Sequence, residues 1–143
     1  PVDYFNEYRP TKEITIPKAY ILKQGWHRVV ERLKNNQIFY TQFKKDTTLV
    51  VETLHIDDYK TRTSAYEGHY LHYNTSVKID SNAVHFSKGD LYIPVHQKGA
   101  RYIMETLEPE ATDSFFNWNF FDSVLQQKEG YSGYVLKMLP NKF

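Results

Sequence analysis

The chain carries six histidines: His27, His55, His69, His72, His85 and His96. Only His69-Tyr70-Leu71-His72 is tightly spaced, with Glu67 just upstream. A zinc site requires three or four ligands converging at about 2 Å. On a helix, residues three apart share a face; on a strand they point to opposite faces. Gly68 and the neighbouring tyrosines argue against a helix. His69 and His72 therefore read first as histidines hydrogen-bonded within a Tyr-rich strand, and second as a metal-ligating pair. The carboxylates offer less. Asp57-Asp58 are adjacent and read as a solvated turn. Glu105, Glu108, Glu110 and Asp113 gather near the end of a predicted helix. Arg101 lies four residues before Glu105, the spacing of a helical ion pair. His-Glu-x-x-His, Gly-x-Ser-x-Gly and phosphate-loop patterns are absent from the sequence. There is no cysteine, which removes disulfides and thiolate chemistry.

The elements that must position these groups are legible from periodicity. Residues 1–17 contain Pro10 and Pro17 and read as an extended lead-in; 18–143 form one domain. Ala19–Leu22 reads as a strand. Trp26, Val29, Val30 and Leu33 form one apolar stripe at helical spacing, ended by Asn35-Asn36. Ile38–Phe43 follows as a strand, so 19–43 predicts a β-α-β unit with parallel strands. Thr47–Ile56 reads as a strand and 57–68 as a loop. His69–Tyr73 reads as a further strand. Val77 and Ile79, then Asp80-Ser81-Asn82, then Val84 and Phe86 predict a hairpin turning at 80–82. Ser87–Asp90 is a turn before the strand Leu91–Val95, with Pro94 at its edge or end. Ala100, Ile103, Met104 and Leu107 predict a second helix to Glu108, bounded by Pro109. Phe121, Val124 and Leu125 suggest a short third helix stopping at Gly130. Residues 131–143 show no clear period. The expected fold is α+β: a mixed sheet with an initial β-α-β unit, antiparallel hairpins and two to three helices.

A chain of 143 residues with 41% hydrophobic and 24% charged residues has the make-up of a globular domain, not of a disordered chain. The formal net charge of +1 gives no electrostatic case for nucleic acid. No apolar run is long enough for a membrane-spanning helix. The chain opens Pro1-Val2-Asp3-Tyr4 without a signal peptide and reads as an internal fragment. Aromatics are the outlier, at 12 Tyr, 9 Phe and 2 Trp. They concentrate in Ser114-Phe115-Phe116-Asn117-Trp118-Asn119-Phe120-Phe121-Asp122. Such a segment either caps a sheet or meets a partner, since Trp and Tyr dominate desolvated contacts. Trp118 and Asn119 are the residues expected to face a partner.

An ordered succession carries a family resemblance. It runs Gly89-Asp90-Leu91-Tyr92-Ile93-Pro94-Val95-His96-Gln97, then Ala100-Arg101-Tyr102-Ile103 to Thr106-Leu107-Glu108-Pro109, then Asp113-Ser114 to Trp118-Asn119-Phe120-Phe121-Asp122. This resembles the region that follows the catalytic domain in bacterial M14 zinc carboxypeptidase-like proteins. Ala19–Leu22 with Trp26-His27, and Tyr66-Glu67-Gly68-His69-Tyr70-Leu71-His72, fit the same pattern; the likeness spans about 18–135. It implies a non-catalytic C-terminal accessory domain that packs on the catalytic domain of the same polypeptide. Zinc and the peptide-hydrolysing machinery would belong to that upstream domain, and no cofactor to this chain. The parent would then fit an exported, periplasmic or extracellular enzyme. Candidate contact residues are Arg101, Glu105, Trp118, Asn119 and Asp122. The alternatives are a module binding cell-wall glycan or peptide through exposed aromatics, and a self-standing enzyme whose histidines and carboxylates converge in one pocket.

Overall fold

The computed structural model describes residues 12–125 and 135–138. Its framework is one six-stranded sheet with two helices. The strands are β1 (Ala19–Leu22), β2 (Thr41–Gln42), β3 (Thr47–Thr61), β4 (His72–Phe86), β5 (Leu91–Pro94) and β6 (Val135–Met138). The helices are α1 (His27–Asn35) and α2 (Ala100–Leu107). Across the sheet the order is β2-β5-β1-β6-β3-β4, and every neighbouring pair is antiparallel. The expected mixed sheet is thus antiparallel throughout. The expected β-α-β unit is not among the pairings. β1, α1 and β2 do follow in that order, but β5 lies between the two strands and is hydrogen-bonded to both.

Strict alternation divides the side chains between two faces. Tyr20, Leu22, Leu54, Ile56, Leu91 and Ile93 face the helices, where Val29, Leu33, Ile103, Leu107, Phe115, Phe116 and Phe121 meet them. Ile21, Val51, Phe86 and Leu136 form a smaller cluster on the other face. Burying a Leu, Ile or Phe contributes about 1.5–3 kcal/mol each. The helix-side cluster is therefore the main source of stability.

The 80–82 turn expected from sequence does not form. Asp80, Ser81 and Asn82 pair directly with Thr53, Glu52 and Val51, and β4 runs on through them. The polar residues mark a solvated strand, not a reversal. The reversal lies at 62–71, where Glu67 and Gly68 take positive φ and Tyr66 bridges His69. β3 continues to Thr61, through part of the expected loop, by accommodating irregularities near Asp58. The strand expected at Ile38–Phe43 shortens to Thr41–Gln42. The expected third helix is a 3-10 turn at Asp122–Leu125; Gly130 lies outside the described residues. β6 forms from the tail without clear period and sits between β1 and β3.

Gly89 illustrates local necessity. Its φ is +95°, and a Cβ there would approach Gln24 Oε1 to 2.6 Å. The turn it makes aims the buried Asp90 carboxylate at two backbone donors, Ser87 N at 2.9 Å and Gln24 N at 3.1 Å. Asp90 thereby ties the start of β5 to the segment leading into α1.

Candidate functional site

The chain after α2 does not continue as a helix, because it is occupied by side chain–backbone bonds that compete with one. Ser114 Oγ donates to Pro109 O at 3.0 Å and accepts from Asn117 N at 3.1 Å. The buried Asn117 amide donates to Ala111 O at 2.9 Å and Thr112 O at 3.2 Å, and accepts from Thr75 Oγ1 at 2.6 Å. Phe115 N reaches back to Thr106 O at 2.7 Å. The result is a compact coil of turns that seats Phe115, Phe116 and Phe121 in the core and leaves Trp118, Asn119 and Phe120 partly exposed. Of the four phenylalanines expected to cap the sheet, Phe115, Phe116 and Phe121 are buried in the core and Phe120 packs against it while partly exposed.

This coil and α2 border a cleft of about 480 Å³ lined by Ile14, Arg101, Met104, Glu105, Glu108 and Asp113, among others. Glu108 forms its floor. Its Oε1 accepts from Tyr20 Oη at 2.5 Å and pairs with Lys137 Nζ at 2.5 Å. Both charged side chains are nearly buried, at 9% and 6% exposure. Such a pair carries a large desolvation cost, offset here by close pairing and the phenol. Burial first, then the Glu108 charge and hydrogen bond, pushes the Tyr20 phenol well above its ordinary pKa. The phenol therefore remains a donor.

Glu110 ties the cleft to its surroundings. Its carboxylate pairs with Lys12 of the lead-in and accepts from Val77 N at 3.0 Å. On the rim Arg101 Nε donates to Glu105 Oε1 at 2.9 Å, as the spacing predicts. The pair is exposed, so it shapes the rim more than it stabilises the fold.

Trp118 borders a second groove of about 410 Å³ with Arg32, Glu67, His69, Asp113, Phe115 and Phe120. Its ring is edge-on to Tyr66 at 6.1 Å and His69 at 5.6 Å. Its indole N–H points to the Asp113 carboxylate at 3.5 Å. Tyr66 and Tyr70 are 56% and 55% exposed.

Asn119 and Asp122 converge on His72. The buried imidazole has Nε2 at 2.8 Å from Asp122 Oδ1 and Nδ1 at 2.8 Å from Thr61 Oγ1. Phe116 lies against the ring at 5.0 Å and Tyr59 edge-on at 4.8 Å. Asn119, held at φ 68°, donates to Tyr70 O at 3.0 Å and sets Oδ1 3.3 Å from His69 Nδ1. His69 and His72 thus share Asn119 but take different main partners, and both ring nitrogens of His72 are occupied. Among the described residues no three His, Asp or Glu side chains are arranged to hold a metal ion.

The five candidate contact residues therefore fall in three places. Arg101 and Glu105 sit on the cleft rim, Trp118 in the second groove, and Asn119 and Asp122 at His72. Asp113 borders both the cleft and the groove. Sequence reasoning missed Lys137 and Tyr20 as partners of Glu108, and Thr61 as a partner of His72. The one available signal was the charge at Lys137, set between Leu136 and Met138. Comparison of the chain with protein-family models, curated proteins and solved structures finds no match. No helix among the described residues is long and apolar enough to cross a membrane.

Proposed function

We propose that this chain is an accessory domain that packs through the α2 cleft on an M14-like zinc carboxypeptidase catalytic domain of the same polypeptide. Peptide-bond hydrolysis and zinc belong to that upstream domain. The observation that carries the reading is the path of the lead-in. Lys12 is paired to Glu110 and Ile14 lines the cleft, so the described part of the lead-in lies on this face. The cleft presents apolar Ile14 and Met104 beside the Arg101–Glu105 pair, the mixture found where domains of one chain meet. Its floor is fixed by Glu108, Lys137 and Tyr20, so the surface is preorganised. The test is removal of residues 18–143 from the longer polypeptide. The reading expects lower peptidase activity or a lower melting temperature. A catalytic domain that is fully active and equally stable alone sinks it.

A second reading is favoured by the exposed Tyr66 and Tyr70 beside Trp118 and the Asn119 amide. These suit a module for cell-wall glycan or peptide, with the aromatics as the binding faces. Trp118 fluorescence, read in a Trp26→Phe background, should change on titration with soluble cell-wall fragments. No change at any concentration rejects this reading.

A further inference from the structure

The outer edge of β4 is closed at both ends and open in the middle. β4 is the last strand of the sheet, so alternate residues turn their N–H and C=O groups away from β3. Val77 faces outward, since its N–H is taken by Glu110. The β3–β4 register is unbroken from Thr47/Phe86 to Ile56/Val77, so Ile79, Ser81, Ala83 and His85 face outward as well. At the far end Lys23 Nζ occupies His85 O at 3.1 Å. Between these two caps Ile79, Ser81 and Ala83 have no backbone partner on the outer side among the described residues.

Natural sheets guard such edges with charges, prolines or bulges. The open stretch contains no proline and no bulge. The irregularities of the hairpin lie beyond Ile56. The charged residues of the open stretch are engaged back across the ladder: Lys78 Nζ with Asp57 at 2.8 Å, and Asp80 with His55 at 3.4 Å.

We propose that this open edge pairs with the same edge of a second copy of the chain, antiparallel, with the two-fold axis at Ser81. The caps at Val77 and His85 are equidistant from Ser81, so this register uses the whole open stretch. Ile79, Ser81 and Ala83 then exchange backbone bonds with Ala83, Ser81 and Ile79 of the second copy. The side chains fit as well. Ile79 is 54% exposed and would lie opposite the small Ala83, whose own cross-strand neighbour, Val50, is 70% exposed. A large residue thus meets a small one and reaches a waiting apolar surface. On the other face Asp80 meets Asn82, and no like charges stand directly opposite. The short stretch places the dimer at the weak end of specific association.

The test is sedimentation equilibrium of the full chain up to millimolar concentration. Wild type should reach the dimer mass. Ser81→Lys and Ser81→Glu each place like charges opposite one another on the axis and should remain monomeric, whereas their equal mixture should recover the dimer. Position 81 is exposed and its backbone does not bond to β3, so both variants should keep the wild-type circular dichroism; Ser81→Lys, opposite Glu52 of β3, should keep the wild-type melting temperature, and Ser81→Glu should melt slightly lower because it meets Glu52. A wild type that is monomeric throughout overturns the proposal. Charged variants that dimerise as well as wild type, or a mixture that stays monomeric, overturn the axis at Ser81.

Discussion

The two halves of β4 are one strand paired with β3, yet their outer edges differ. Along the first half, Asn117 O accepts from His72 N at 2.9 Å, Thr75 Oγ1 donates to Asn117 Oδ1, and Glu110 accepts from Val77 N. Along the second half, Ile79 to Ala83 meet no such groups among the described residues. The difference does not lie in β propensity, since both halves mix β-branched and polar residues. It lies in where the chain after α2 goes. That coil closes one half and brings the ionisable residues of the cleft and of His72 together beside it.

The comparison breaks most severely at the base of the closed half. Lys137→Met leaves the Glu108 carboxylate buried with the Tyr20 phenol as its one remaining side-chain partner among the described residues. Loss of one member of a buried pair costs about 3–5 kcal/mol. Denaturant unfolding should show that loss, and a change under about 1 kcal/mol would mean that Glu108 is free to reach water. Asn117→Ala acts on the edge itself. It removes the bonds of the buried Asn117 amide to Ala111, Thr112 and Thr75, at a cost of about 1–3 kcal/mol. Hydrogen exchange should accelerate at His72 and Val77 while the Thr53–Asp80 ladder keeps its protection. Uniform acceleration would deny that the coil closes this edge. The smallest effect is read by pH. The folded-state Tyr20 phenol is raised above its unfolded value of 10.0. Its contribution is therefore complete below pH 10 and lost as the pH rises past it, because the unfolded chain releases a proton that the native state retains. Stability should fall by about 1.4 kcal/mol per unit there, and Tyr20→Phe should flatten that slope.

Much of this was legible in the sequence. The stripe Trp26, Val29, Val30 and Leu33 gives α1, and Ala100, Ile103, Met104 and Leu107 give α2, because helical periodicity is set locally. The Arg101–Glu105 pair follows from spacing alone. The Asp80-Ser81-Asn82 turn was misread because a solvated edge strand and a turn draw on the same polar residues. β6 was missed because four residues between β1 and β3 need no periodicity of their own when neighbours on both sides supply the pairing. The Glu108–Lys137–Tyr20 cluster joins residues far apart in the chain, and no local pattern announces it. Asn119 and Asp122 were named for an outer contact; the structure hydrogen-bonds both to His72, with Asp122 still exposed and Trp118 partly exposed in the second groove.

The central claim is the proposal that the α2 cleft is the packing face. Oxidative footprinting of Met104 tests it most directly, comparing this chain alone with a longer polypeptide carrying the catalytic domain that the proposal places upstream. Met104 lines the cleft and is partly exposed. The account predicts that its oxidation slows severalfold in the longer polypeptide, while Tyr70 in the far loop keeps its rate. Equal Met104 oxidation in the two would contradict the account.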